Sequence, residues 1–422
     1  MALPYATPPR GSCTLAQTAF NAINMLLGIG VLAMPFAFRI AGWGGGLLLT
    51  WLLLAVTRYT ALLIGRIMDT AVIQRADGRY TGVMSYADLG FVAFGRVGHT
   101  LIGSLFMMEL FGASVALLIL SADSFAVLWP EVAVVHIKWL IFGVMVVTTI
   151  PRRFNIFGYT SLLGIVALVN LACILIYNGL AYDGVPGSLR HPAPTTWLPP
   201  QWFPVPLTFG LVMAGYCSHS VFPSMYREMA QPAEYPRVVN IAYAVTGLFT
   251  MLIAVAGYLM FGDQTLEEIT LNLATVNGYP RRLTALAVFL IGVNPLTKFG
   301  LTVNPIAQNL EAWLARCCAQ RGGPLRRPLR TALAVAIVVT ACYFPGFHQV
   351  MALLGSLLAF TISVMTPCIG WWRLAMPAMA RREQAWLGFC LVLSVIGIVL
   401  GTAWAILPLH LTPAVFSLTA AV

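Results

Sequence analysis

Charge is what this sequence has least of. Only 9% of its 422 residues are Asp, Glu, Lys or Arg, and lysine occurs just twice, at Lys138 and Lys298. A soluble globular domain carries about a quarter. With 59% apolar residues and a mean hydropathy of +0.84, the chain falls in the polytopic membrane class. Other absences narrow the chemistry. The eight cysteines (Cys13, Cys173, Cys217, Cys317, Cys318, Cys342, Cys368, Cys390) form no C-x-x-C pair, so neither a disulfide framework nor a zinc site is expected. H-E-x-x-H, G-x-S-x-G and a His-Asp pairing are also missing, which argues against an intramembrane hydrolase or acyltransferase. No metal or cofactor is expected. No asparagine is followed two residues on by Ser or Thr, so N-glycosylation is not expected. Only Arg10 precedes the first apolar run, and that run is too long for a cleavable signal core.

Long apolar runs are what the sequence does have. A helix that crosses a bilayer needs about 20 mostly apolar residues. Eleven such segments are expected, near 15–38, 44–66, 98–128, 134–150, 156–181, 204–224, 236–261, 282–310, 330–345, 347–373 and 386–410. The expected fold is all-α: eleven transmembrane helices in one domain over 15–410, between a short N-terminus (1–14) and a tail (411–422). Orientation follows from the basic residues. With the N-terminus in the cytosol, seventeen of the 24 Lys and Arg residues face the cytosol. Arg39, Lys138, Arg190, Arg281 and Arg282 face the other way, and Arg58 and Lys298 lie within spans. The positive-inside rule therefore places the N-terminus inside and, with eleven spans, the C-terminus outside. The net charge of +10 reports this topology and implies no nucleic-acid partner. Two loops carry further signals. "SYADLGFVAFGRVG", 85–98, has the spacing of a short interfacial helix, and the Pro- and Gly-rich stretch 184–204 reads as an ordered irregular loop.

Two spans break their own helix. "NAINMLLGIGVLAMPFAF", 21–38, and "AGYCSHSVFPSMY", 214–226, each set a glycine and then a proline seven or eight residues apart inside an apolar run. The breaks lie five spans apart. Interrupted segments at matching places in two halves point to inverted repeats, here 15–181 and 204–373, with 386–410 appended and a substrate site at the midplane. Unwound backbone is tolerated at that depth only where it is buried in protein or lines a cavity. Its freed N–H groups suit a carboxylate and its freed carbonyls an ammonium, and a zwitterionic amino acid presents both. Gln17, Asn21, Asn24 and Gly28 share a stripe about 60° wide on the first span, and Asn294, Thr297 and Lys298 gather on the eighth. Of the ionisable residues within spans, three are candidates for proton coupling: Glu109, Lys298 and His219, the last inside the second break.

At these residues a family resemblance enters. "NAINMLLGIGVLAMPFAFRIAGW", "SYADLGFVAFG", "YCSHSVFPSMYREM", "YLMFGDQTLEEITLNL", "VNPLTKFGLTVNPIA" and "MALLGSLLAFTISVMTPC" closely resemble the amino acid/auxin permease family. They are most similar to its vacuolar amino acid transporter branch, related to the vesicular inhibitory amino acid transporter. The resemblance implies a LeuT-like fold that exchanges neutral amino acids for protons across an acidic-organelle membrane. It places the substrate against Leu27, Gly28, Ile29 and Gly30 of one break and Tyr216, Cys217, Ser218 and His219 of the other, with Asn21 and Asn24 alongside. Asn24 and Lys298 match positions near the place where sodium-coupled relatives hold their ion, and a lysine there implies sodium independence. Two other readings stand beside it: an amino acid sensor of the same fold, and a proton symporter of the plasma membrane.

Overall fold

The computed structural model describes residues 11–74, 80–83, 85–148, 155–317, 322–343 and 347–406. Arg10, Arg75, Arg79, Arg152, Arg153, Arg321, Cys318 and the tail 411–422 lie outside the described residues.

The first expected span is two pieces of helix. Helix α1 (Leu15–Leu26) starts on a capping box, with the Thr14 hydroxyl accepting from the Gln17 amide and the Gln17 side chain accepting from the Thr14 amide. This satisfies two of the donors a helix start leaves open. It ends at Leu27; Gly28 is extended, a 3₁₀ turn runs over Ile29–Ala33, and α2 (Met34–Thr70) follows. Helix α2 is interrupted at Gly42, where φ is +67°, so the expected boundary between spans one and two is a single-residue kink rather than a loop. A side chain there would be strained, and its Cβ would stand 2.7 Å from the backbone of Leu198. The Pro-rich loop lies against this kink: Trp43 and Gly44 donate backbone hydrogen bonds to Thr196 and Trp197.

A two-stranded antiparallel hairpin follows, β1 (Val72–Gln74) with β2 (Tyr80–Gly82). It corrects the all-α expectation in a small way, since strands of three residues leave no periodicity to read. The expected interfacial helix forms the start of α3 (Tyr86–Leu128), capped by Ser85 and Asp88 and turned at Gly95, φ +71°. The remaining elements are α4 (Val134–Thr148), α5 (Asn155–Ala181), α6 (Val205–Ala214), α7 (Phe222–Glu228), α8 (Tyr235–Phe261), α9 (Ile269–Thr275), α10 (Arg281–Cys317), α11 (Gly322–Tyr343), α12 (Phe347–Leu353), a π-helical stretch Leu354–Met365, α13 (Thr366–Ala375) and α14 (Arg381–Ile406). The short α9 has no counterpart among the expected elements. Each of the eleven expected segments overlaps one of these helices. Eight helices among the described residues are long and apolar enough to cross a membrane, and Val134–Val146 and Pro328–Tyr343 are shorter apolar helices.

Helix α10 lies at the centre of the packing, against α3 and α5, while α1 and α2 both pack on α8. Aromatic side chains such as Phe36, Tyr216, Phe222 and Tyr243 fill the core. Leucines and valines such as Leu140, Leu248 and Val392 stay exposed on the outside, as a bilayer-facing surface requires. Arg330 of α11 is clipped to α10 by hydrogen bonds from Nε to Glu311 (2.7 Å) and from Nη1 to Asn304 (3.0 Å). The Arg330 and Glu311 side chains are only 15% and 12% exposed, and removing one partner of such a pair leaves a charge uncompensated. Arg330→Met should therefore lower unfolding stability in detergent by ~3 kcal/mol. Adding Glu311→Leu should restore most of it, and a single mutant as stable as wild type would show that the clip contributes nothing.

Candidate functional site

The spacing of glycine and proline in the two broken segments now has a local explanation. Each break begins at or just before a glycine, passes through a 3₁₀ turn, and restarts as a helix with proline in its first turn, Pro35 in α2 and Pro223 in α7. Proline suits that position because its φ is already helical and its missing N–H is one the helix start would leave unpaired. The breaks also meet. A Cβ on Gly30 would lie 2.5 Å from both Cα and N of Gly215, so the two segments cross closely at a point where residue 30 has room for no side chain.

Where α1 stops, its last carbonyls lose their helical donors. Lys298 supplies one: its buried ammonium donates to the Leu27 carbonyl at 2.8 Å. Asn24, one turn earlier, is fully buried, and neither its amide oxygen nor its nitrogen has a partner among the described residues. It faces α5 at Gly164, where a Cβ would stand 2.5 Å from Asn24 Oδ1 and 3.1 Å from Thr297 Oγ1. Asn294 Nδ2 donates to the Gly164 carbonyl at 2.7 Å. Asn24, Asn294, Thr297 and Lys298 thus converge on one junction of α1, α5 and α10. Asn21 is half-buried on the α7 side of α1, and Gln17 is taken up by the helix cap. Gly28 lies in the extended link and Ile29 opens the 3₁₀ turn.

On the other break, Tyr216, Ser218 and His219 are buried and Cys217 is half-buried, its thiol donating to the Ala214 carbonyl. The His219 ring is turned onto α2, with Nε2 2.9 Å from Thr60 Oγ1 and 3.0 Å from the Thr57 carbonyl. A carbonyl can only accept, so Nε2 carries the proton, and Nδ1 is buried with no partner among the described residues. Glu109 of α3 is 5% exposed; its carboxylate faces Ser220 and Cys217 of this break. One cation therefore stands at the first break and one carboxyl group at the second, and neither is engaged with the other. Among the described residues no group of three or more His, Cys, Asp or Glu is placed to hold a metal ion.

Several of these positions were not visible in sequence. Thr57 and Thr60, which hold His219, carry only the faint signal of two hydroxyls three residues apart in an apolar run. Gly164 and Ser220 carry none. Arg39, assigned to the side opposite the N-terminus, donates from Nη1 to the Thr265 carbonyl at 2.9 Å and so ties α2 to the segment before α9.

Known proteins resemble this arrangement along nearly the whole chain. The family profile described as transmembrane amino acid transporter protein matches residues 11–407. Amino acid transporter AVT1E of Arabidopsis thaliana is 29% identical over 403 residues, covering 92% of this chain and 72% of the relative. AVT1I of the same plant is 30% identical over 374 residues, covering 85% of this chain and 86% of the relative. Among solved structures, the fold is similar to Mhp1, a nucleobase-cation-symport-1 family transporter in a closed conformation, with a TM-score of 0.58, 13% identity and coverage of 96% and 94%. It is also similar to MhsT in complex with L-phenylalanine, with a TM-score of 0.58, 11% identity and coverage of 96% and 100%. At those identities the structures speak for a LeuT-like fold alone. The profile match over nearly every described residue decides the family: this chain belongs to the transmembrane amino acid transporter proteins, and it is a transporter, not an enzyme.

Proposed function

We propose that the chain is a secondary transporter that exchanges neutral amino acids for protons across the membrane of an acidic organelle. In this reading it has eleven spans, the first ten in two inverted repeats, and an N-terminus in the cytosol. The substrate lies between the breaks, against Leu27, Gly28, Ile29 and Gly30 on one side and Tyr216, Cys217, Ser218 and His219 on the other, with Asn21 and Asn24 at its edge. The observation that carries the reading is the Lys298 ammonium on the Leu27 carbonyl. A hydrogen bond with a charged donor is about twice as strong as a neutral one, so protonated Lys298 holds α1 to α10 more firmly than the free amine does. It also sets a positive charge beside carbonyls that a substrate ammonium would seek. Like charges disfavour joint occupancy, and the penalty is reciprocal: a bound amino acid favours loss of the proton as much as the proton weakens binding. Mutual exclusion of this kind is what an exchanger requires.

Glu109 and His219 remain the other proton carriers to weigh. Glu109 opposes the second break directly, whereas the His219 ring is occupied with α2, so Glu109 ranks second. The test is uptake of neutral amino acids into proteoliposomes with an imposed pH gradient. Collapsing the gradient with an ionophore should abolish accumulation, and exchanging sodium for choline should leave it unchanged. Steep sodium dependence would sink the reading. The sensor reading would be favoured by saturable amino acid binding with no flux under any gradient.

A further inference from the structure

Below the first break a cavity of about 30 Å³ lies between α1 and α7. Thr18, Asn21 and Met25 line it from α1, and Ser224 and Glu228 from α7. A water molecule needs ~10–15 Å³ of such space, so the cavity admits water and excludes an amino acid. Asn21 Oδ1 is buried with no partner among the described residues, which provides the acceptor such a water needs. At the far end of the cavity the N-terminal segment runs beside the end of α7. The Cys13 amide donates to the Glu228 carbonyl at 2.8 Å, the Ala230 amide donates to the Cys13 carbonyl at 2.9 Å, and Cys13 Sγ lies 4.0 Å from Glu228 Oε2. The ionisable neighbours of the Glu228 carboxylate are Arg227, next in sequence, and this Cys13 thiol.

At about 100° per residue, Asn21 and Asn24 stand only ~60° apart on α1, and Asn24 shares the Gly164 junction with Thr297, the residue before Lys298. The Asn21 amide oxygen and both polar atoms of the Asn24 amide are buried inside a membrane helix without a partner among the described residues, although each such group is costly to bury. We propose that Asn24, Asn21, water in this cavity and Glu228 form the route by which the Lys298 proton leaves on the N-terminal side of the membrane. The ammonium passes a proton to water and becomes the free amine; the Glu228 carboxylate takes a proton from the same water chain and releases it on the N-terminal side. The cavity admits water but not an amino acid, so proton release along this path needs no opening wide enough for substrate.

The inference rests on Lys298 as the coupling residue, and the experiment separates the two. Proteoliposomes containing the wild type, Glu228→Gln, Glu228→Asp and Ser224→Leu are compared by proton flux with a pH-sensitive dye and by amino acid counterflow at equal pH, which requires no net proton movement. Glu228→Gln should slow proton flux about tenfold and flatten its pH profile, with counterflow retained. Glu228→Asp should recover most of the flux, and Ser224→Leu, which fills the cavity, should slow it like the glutamine. Wild-type flux and pH profile in Glu228→Gln and Ser224→Leu would overturn the route while leaving the coupling residue standing. If the wild type moves amino acid without moving protons, the coupling reading falls and takes the route with it.

Discussion

Replacing Lys298 by arginine should leave a folded protein that binds amino acid more weakly than wild type and cannot accumulate it. The guanidinium keeps a positive charge and donors for the Leu27 carbonyl, but it holds its proton throughout the physiological range. The tie between α1 and α10 then becomes permanent, and the pH gradient has nothing to act on. Lys298→Met goes further, because it removes the donor and leaves the Leu27 carbonyl buried and unpaired, a loss of ~1–3 kcal/mol. It should lower thermal stability in detergent as well as abolish accumulation. The measurement is pH-driven uptake together with the melting temperature for both variants. If Lys298→Arg accumulates substrate as steeply with the gradient as wild type, the proton is carried elsewhere, and Glu109, facing Ser220 across the second break, becomes the residue to change next.

The pair of breaks was legible in the sequence because glycine and proline act locally. Pro35 and Pro223 start helices wherever they occur near a break, and the polar stripe through Asn21 and Asn24 needs only helical periodicity to be seen. Lys298 stood out because a lone lysine within an apolar run always requires an explanation. What each of these residues touches was not legible. His219 meets Thr60, 159 positions away, and Lys298 meets Leu27, 271 positions away, and no local pattern encodes such partners. The hydrogen bond of His219 Nε2 to α2 was likewise not legible in the sequence, which offered only its place inside the break. Gly42 escaped as a break because the helix continues on both sides of it, and α9 escaped because seven residues are too few to show a period. The crossing of Gly30 over Gly215 was hidden for a further reason: Gly30 alone reads as a flexible spacer, and only the contact shows that it is a packing residue.

That contact separates two roles that adjacent glycines would otherwise confuse, and it sets the second large effect. A methyl group at Gly30 would be forced to within 2.5 Å of Gly215 Cα and 2.8 Å of the Ala214 carbonyl carbon. Both are backbone atoms that no side-chain rotation can relieve, so α6 must shift away from the first break. Overpacking of this kind typically costs ~1–3 kcal/mol, and the shift would also disassemble the site. Gly30→Ala should therefore melt earlier and lose transport together. Gly28 differs: a Cβ there would meet only Met25 O at 3.3 Å and Leu26 O at 3.9 Å, the end of its own helix. The fold should absorb Gly28→Ala, while the methyl group narrows the space in which a substrate carboxylate would approach the unwound backbone. The expected result is an unchanged melting temperature with a KM for amino acid raised about tenfold, which corresponds to ~1.4 kcal/mol of lost binding. Normal stability in Gly30→Ala would mean that the two segments cross less tightly than the structure has them. Wild-type KM in Gly28→Ala would remove residue 28 from the substrate site and move the carboxylate toward the second break, where the buried Ser218 hydroxyl has no partner among the described residues.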